Sequence, residues 1–332
     1  YRNDNNTSIR ATTARLQSDA PNYRFLQFSA TDATDNIFGD NLFQRSISYF
    51  GRLGWNYENK YLIEGSFRGD AFDASKLSPA SRWGYFPSVS AGWVASNENF
   101  IKNLEFNALS YLKLRASWGE NGNVDVLQNY PYAPSLALGG AGNYYSFSNQ
   151  LITGSTPSNQ LPNPDITWEV SKQTDIGIET GFFNDKLTLN ADYYLKITEG
   201  LLASGPAPVV SGASTVVRNI GKIENSGFEF ELAWKSKIGD LTYGLNGNLS
   251  TLHNEVLESP YGDGRLAGGG GFLTAGTFFE KGYPIWYLSS NIIDHIDEVS
   301  GQPIYKTAEE LGTNDGKAPT GSGIPMMTYG VT

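Results

Sequence analysis

The chain has 332 residues, a net charge of −10, no Cys and 17% charged residues, against about 25% in ordinary soluble domains. The acidic balance argues against nucleic acid, which requires a basic footprint, and the missing thiols exclude disulfides and thiolate metal sites. With 37 Gly, 13% aromatics and no apolar run near the roughly 20 residues of a membrane helix, few protein classes remain. The length suits one large β domain or two ordinary ones. No signal peptide starts at Tyr1, so a mature chain or one cut from something longer is expected.

Residues 1–44 read as a loop region and strand lead-in. Within them "TDATDNIFGDN" (31–41) gathers Asp32, Asp35, Asn36, Asp40 and Asn41, whose oxygens could take Ca²⁺. The spacing is not that of an EF-hand, so a solvated polar loop without metal or other cofactor is the expectation.

From Ser46 the period becomes two. Ile47, Tyr49, Leu53, Trp55 and Tyr57 share one face, and Ser46, Ser48, Arg52 and Asn56 the other. After Glu58-Asn59-Lys60, the set Tyr61, Ile63, Gly65, Phe67 continues the apolar face, and Glu64, Ser66, Arg68, Asp70 the polar one, as in a β-hairpin. "RWGYFPSVSAGW" (82–93) alternates Tyr85, Pro87, Val89, Ala91 and Trp93 with small residues. "LKLRASWG" sets Leu112, Leu114, Ala116 and Trp118 against Lys113, Arg115 and Ser117. Around a turn at Asn184-Asp185-Lys186, Ile176, Ile178 and Phe182 face Leu187, Leu189, Ala191, Tyr193 and Leu195. Their opposite face carries Asp175, Glu179, Asn190, Asp192 and Lys196. The last hairpin places Phe228, Phe230, Leu232, Trp234, Leu241, Tyr243, Leu245 and Leu249 opposite Glu229, Glu231, Lys235, Asn246, Asn248 and Ser250. The pattern predicts eight strands between residues 46 and 252.

Their connections alternate in length. Short links fall near 58–60, 184–186 and 236–240, with a longer one over 96–110. Long segments fall near 71–83, 119–165, 197–226 and from 253 onward. Outer-membrane barrels sort short periplasmic turns from long external loops in this way. The rings obey the same order. Trp55, Tyr57, Tyr61, Trp93, Phe182, Trp234 and Tyr243 lie near short links, and Trp118, Tyr85, Phe67 and Tyr193 lie toward long loops, all on the apolar face. Two such rows match the aromatic girdles of a bilayer. Strands of about nine to eleven residues suffice to cross it tilted. Arg52, Glu64, Arg68, Asp70, Lys113, Arg115 and Glu179 would then face a water-filled lumen. The alternative is a soluble antiparallel sandwich, whose strands also alternate but whose largest rings tend to sit in mid-core.

No catalytic constellation emerges. His253 and His295 have no partner motif, and "YGDGRLAGGGGF" (261–272) lacks the strand–helix frame of a phosphate loop. In the loop "LGGAGNYYSFSNQ" (138–150), Asn143, Tyr144, Tyr145, Phe147 and Asn149 could offer rings and amides to a sugar or peptide, since binding sites mix apolar faces with a few polar groups. A hydrolase on a β scaffold would need two carboxylates facing across a cleft; here they are dispersed among hairpins. A barrel that displays adhesive loops without energised transport is the second alternative.

"RWGYFPSVSAGW" (82–93), "LKLRASWGENGN" (112–123), "NPDITWEVSKQTDIGIETGFFNDKLTLNADYYLKIT" (163–198), "NIGKIENSGFEFEL" (219–232) and, more loosely, "SGIPMMTYGVT" (322–332) stand in an order that resembles the SusC/RagA-like TonB-dependent transporters of the Bacteroidetes outer membrane. The resemblance runs from about residue 45 to 332. It implies a 22-stranded barrel closed by an N-terminal plug and coupled to TonB through a TonB box. It also implies a SusD-like surface lipoprotein that helps capture oligosaccharides or peptides. Nothing here resembles the plug, the TonB box or the accessory N-terminal domain. The expectation is therefore about eight to ten antiparallel transmembrane strands of a larger barrel. Hairpins fill 45–252, and 253–332 holds a long extracellular loop followed by further strands.

Overall fold

The computed structural model describes residues 2–12, 36–73, 75–103, 108–127, 130–138, 144–147, 150–153, 155–259, 266–267, 275–313 and 316–332. Its centre is an eleven-stranded antiparallel sheet. We number these strands β1 (Arg2–Thr12), β2 (Asn36–Tyr57), β3 (Tyr61–Phe72), β4 (Trp83–Val94), β5 (Leu109–Asn123), β6 (Glu169–Phe182), β7 (Leu187–Glu199), β8 (Lys222–Ile238), β9 (Leu241–Thr251), β10 (His253–Glu258) and β11 (Met327–Val331). Strands β1 to β9 are neighbours in chain order, β11 follows β9, and β10 pairs with the first part of β8. Among the described residues β1 and β11 do not pair, so the sheet is an open part of a barrel.

The short connections are turns that the sequence supplies locally. Glu58 and Asn59 both take positive φ, 52° and 55°, the twist that suits a tight hairpin. Phe183, Asn184 and Asp185 do the same between β6 and β7, and Gly239 between β8 and β9. The remaining link from β4 to β5 holds a 3-10 turn (Ala95–Asn97) and a single helical turn (Asn99–Lys102). All four links therefore lie at one end of the sheet, and the long segments at the other.

The eight expected strands are present as β2 to β9. Two features differ from the sequence reading. Residues 1–44, read as loop and lead-in, supply β1 and the first part of β2, paired from Arg2↔Ser46 to Thr12↔Asn36. That stretch has polar residues on both faces, so no apolar rhythm marks it. Residue 253 likewise continues the sheet at once, in the β8 register, as β10.

Alternation is kept across the sheet. Trp55 faces Ile63, and Ile63 faces Ala91; Tyr61 faces Trp93, and Trp93 faces Leu114. Further on, Leu187 faces Trp234, and Trp234 faces Leu245. Among the described residues no second layer covers this apolar face: Leu53 is 83% exposed, and Trp55, Ile63, Val89, Ile176 and Leu245 are all exposed. A soluble sandwich would bury these side chains.

The dry core lies elsewhere, at the long-loop end. Leu77, Phe86, Val124, Leu127, Ile166 and Trp168 form one buried cluster, with Phe72, Val170, Leu202 and Val217 packed against it. It fills the gap where the β4–β5 ladder ends, at Ser88↔Gly119. The Trp168 indole spans that gap. A Cβ at Gly84 of β4 would come within 2.9 Å of the indole, and one at Gly122 of β5 within 2.8 Å. A smaller cluster of Ile223, Val256 and Phe279, with Leu201 and Ile285, holds the segment 275–290 against β8 and β10.

Candidate functional site

The polar face of the sheet carries charges in pairs. Arg52 meets Glu64 across β2 and β3. The Arg68 Nε donates to both Asp70 oxygens, at 2.9 and 2.6 Å, while Ser48 Oγ donates to the same carboxylate. Lys113 Nζ lies 3.1 Å and Arg115 Nε 3.3 Å from Glu179, and Arg115 Nη2 reaches Asp192 at 2.8 Å. The structure thus brings Arg52, Glu64, Arg68, Asp70, Lys113, Arg115 and Glu179 into ion pairs, with Asp192 of the same face as a second partner of Arg115. Between the pairs, Ser66 and Ser88 hydroxyls are 2.6 Å apart, Ser117 donates to Asp175 at 3.2 Å, and Asn190 donates to Glu231 at 3.2 Å. Exposed pairs such as Arg52–Glu64 contribute little stability, about 0–1 kcal/mol each. Their effect is to leave a wall whose paired charges nearly cancel over β2 to β7. Glu229 and Glu231 on β8 stay outside these ion pairs.

This face also carries apolar side chains that the alternation does not predict, Phe50, Leu62 and Phe86. Phe50 stands opposite Arg68 and is 80% exposed. The signal was two successive rings, Tyr49-Phe50, which break a strict alternation and put one of them on the polar side.

At the short-turn end the rings form a ladder. Trp55 and Tyr57 stack with centroids 5.7 Å apart, and Tyr57 and Tyr61 at 6.4 Å. The polar ends of Tyr61 and Trp93 converge on Glu98, in the β4–β5 link. The Tyr61 hydroxyl donates to Glu98 at 2.6 Å, the Trp93 indole N–H at 3.3 Å, and Lys60 Nζ lies 3.5 Å away. The Tyr61 hydrogen bond, with help from Trp93 and Lys60, holds the Glu98 carboxyl below the usual carboxylate range despite its partial desolvation. Lys60 is raised, first by its hydrogen bond to Glu58. Phe182 and Trp234 flank the next turn as partners of Leu187, and Tyr243 pairs with Ser236. Toward the long loops, Tyr49, Trp83, Tyr85 and Phe67 stack in series at 5.9–6.2 Å, and Trp118 stands opposite Val89.

The loop candidates fare differently. Asn143 and Asn149 lie outside the described residues. Tyr144, Tyr145 and Phe147 belong to a short strand, Tyr144–Phe147, paired with Gln150–Thr153. Asp32 and Asp35 also lie outside the described residues, while Asn36, Asp40 and Asn41 fall on β2. His253 and His295 are exposed, each beside one carboxylate, Glu255 at 3.3 Å and Asp294 at 2.8 Å.

The long segments are tied together by few side chains. The Asn219 amide donates to Thr167 O at 2.9 Å and to Gly200 O at 3.1 Å, and its oxygen accepts from Thr167 N at 2.8 Å. Glu169, almost wholly buried, accepts from the Leu202 amide at 3.1 Å.

Comparison with known proteins agrees with this architecture. The family model "TonB dependent receptor-like, beta-barrel" matches residues 1–285. TonB-dependent receptor P39 of Formosa agariphila is 36% identical over 258 residues, 77% of this chain and 22% of that protein. TonB-dependent receptor SusC of Bacteroides thetaiotaomicron is 34% identical over 219 residues, 65% of this chain and 21% of SusC. The chain therefore spans about a fifth of the length of these relatives. The solved RagAB peptide transporter superposes with a TM-score of 0.79 at 22% identity, covering 99% of this chain and 38% of that one, which speaks for the fold. An alternating sheet with one exposed apolar face, links sorted by end and these relatives lead to one conclusion: the chain belongs to the β-barrel of the TonB-dependent receptor family, in its SusC/RagA-like branch.

Proposed function

We propose that this chain forms part of the wall of an outer-membrane importer that takes up oligosaccharides or peptides by a TonB-dependent route and works with a SusD-like surface lipoprotein. The observation that carries the reading is the apolar face. A band of exposed Leu, Ile and Val between two stacked aromatic rows, with no covering layer among the described residues, suits lipid as its solvent. On this reading Trp55, Tyr57, Tyr61, Trp93, Phe182, Trp234 and Tyr243 sit at the periplasmic interface, and Trp118 toward the outer one. Arg52, Glu64, Arg68, Asp70, Lys113, Arg115 and Glu179 line the lumen, where water screens them. The long segments, including Asn143, Tyr144, Tyr145, Phe147 and Asn149, face outward toward cargo and lipoprotein.

The relatives support an import role: RagAB is described as a peptide transporter, and SusC and P39 as TonB-dependent receptors. The protein moves its substrate without changing it chemically. Deleting the full-length gene should abolish growth on one class of glycan or peptide, and a strain lacking TonB should show the same defect. Normal growth on every such nutrient, with loss only of surface attachment, would favour an adhesive barrel instead.

A further inference from the structure

On the outward face of β2 to β4, the stacked rings of the long-loop end are bordered by cations. Tyr49, Trp83, Tyr85 and Phe67 form that stack, and all four are exposed. Trp83 faces Ala71, and Ala71 faces Ile47. Arg45 lies on the same side of β2, two residues or about 7 Å further along the strand. Its amide donates to Asp73 Oδ2 and its carbonyl accepts from Asp73 N, both at 2.9 Å. The residue is exposed, and its guanidinium meets no acceptor among the described residues. Arg82 directly precedes Trp83, and its Nε donates to Leu77 O at 3.3 Å. Lys76 adds a third charge, with Nζ turned to Leu127 O. From residue 71 to residue 97 the one carboxylate is Asp73. It already accepts from the Arg45 amide and from the Ser75 amide and hydroxyl, at 2.9 and 2.6 Å. This basic border is local. On β5 to β10 the register places Glu120, Glu199, Glu224 and Glu255 on the outward side at the same end, against Lys172 and Lys222. Both of those lysines are taken by Glu199.

We infer that the patch over β2 to β4 holds the phosphate of an outer-leaflet lipid headgroup, with the lipid's chains lying along the four rings. This rests on the membrane placement above and adds a site and a ligand chemistry to it. At the bilayer interface a ring keeps its apolar body toward the chains and its polar end toward the headgroups, so cations one step beyond the ring row stand at headgroup depth. Guanidinium groups are suited to phosphate because their N–H donors match its oxygens in pairs. Arg45 has all of its donors to offer, and Arg82 has those of its terminal nitrogens. Lys76 contributes field rather than contact. In a chain of net charge −10, three cations against one occupied carboxylate attract an anion here, whereas the carboxylates of β5 to β10 repel one. A soluble anion would gain from the arginines alone. A phosphorylated lipid gains from the arginines and the rings together, and so is the ligand that fits.

The test uses the full-length receptor in detergent, followed by native mass spectrometry. The probes are diphosphoryl lipid A, the same lipid with its phosphates removed, and inorganic phosphate. Arg45→Gln and Arg82→Gln each remove one guanidinium, and Trp83→Leu removes a ring. Lys172→Gln, on the β6 side, is the control. Heat-dependent gel mobility checks that each variant is folded. Arg45→Gln, which breaks no side-chain contact among the described residues, carries the test should Arg82→Gln misfold. The expected result is saturable retention of the phosphorylated lipid, weakened about tenfold by Arg45→Gln, the scale of one charge-assisted hydrogen bond. Arg82→Gln and Trp83→Leu should weaken it measurably, and Lys172→Gln should leave it unchanged. Equal retention of the phosphorylated and dephosphorylated lipids overturns the site, since the rings alone would then account for binding. So does an equal loss in Lys172→Gln. Displacement of the lipid by inorganic phosphate at equal concentration also overturns it, because the ligand would then be a soluble anion. A receptor that retains no lipid yet still needs detergent loses the site and keeps the membrane reading. One that stays dispersed without detergent loses the membrane reading first, and the site with it.

Discussion

Tyr194 on β7 lies across Gly227 of β8 and donates its hydroxyl to the Thr251 carbonyl at 3.1 Å. A Cβ at Gly227 would strike that carbonyl oxygen and come within 2.8 Å of the Tyr194 hydroxyl. The oxygen belongs to backbone, held further by Thr251 Oγ1 accepting from Phe228 N at 2.9 Å, so it has little room to retreat. Gly227→Ala should therefore cost about 1–3 kcal/mol for overpacking, plus about 0.5–1.5 kcal/mol for the hydrogen bond it displaces. Gly54, also within a strand, is the control: nothing stands within 4 Å of its added Cβ, so Gly54→Ala should stay within about 0.5 kcal/mol. The assay is the thermal midpoint of the full-length barrel in detergent, read as its heat-dependent shift in gel mobility. Tyr194→Phe in the Gly227→Ala background should recover part of the loss. Equal midpoints for the two Gly→Ala variants would refute the steric argument.

Three further outcomes follow from named contacts. Leu232→Arg places a charge on the apolar face, where Leu232 is 46% exposed; against lipid it should cost about 2–4 kcal/mol and reduce assembly. On a face wetted by water the same change would be close to neutral, and that result would remove the membrane assignment. Glu98 has a depressed pKa, so its contribution is present above the ordinary carboxylate value of about 4.3 and is lost as pH falls through its own lower value. Glu98→Gln should flatten that acid limb in thermal scans at low pH, and superimposable wild-type and variant profiles would show the clasp to be idle. Asn219→Ala removes three hydrogen bonds between segments and should cost about 1–3 kcal/mol, seen as faster protease nicking over 163–168 and 200–221; unchanged nicking rates would mean the apolar cluster alone holds these segments.

The strands could be read because a two-residue period survives where one face meets lipid and the other water, as Leu112 to Trp118 against Lys113 to Ser117 shows. The same rule hides β1: in Arg2–Thr12 no consistent apolar side exists, so no rhythm separates strand from loop. Alternation alone puts Arg52, Glu64, Arg68, Asp70, Lys113, Arg115 and Glu179 on the polar face, yet Asp192 as the second partner of Arg115 required the register of β7. Phe50 was passed over because a lone ring on a polar face has no period to join. The Glu98 clasp depends on a link that brings residue 98 back to Tyr61. The Leu77–Val124–Ile166 cluster joins positions too far apart in sequence for any window to connect them.

That cluster has a consequence for engineering. Segments 73–82, 124–127 and 163–168 share one greasy knot, with Trp168 bridging strands that have parted company below it. Transplanting a single one of these stretches between relatives would strand its neighbours' side chains in water. A change of cargo preference is therefore expected to need all three exchanged together, as one inherited cassette.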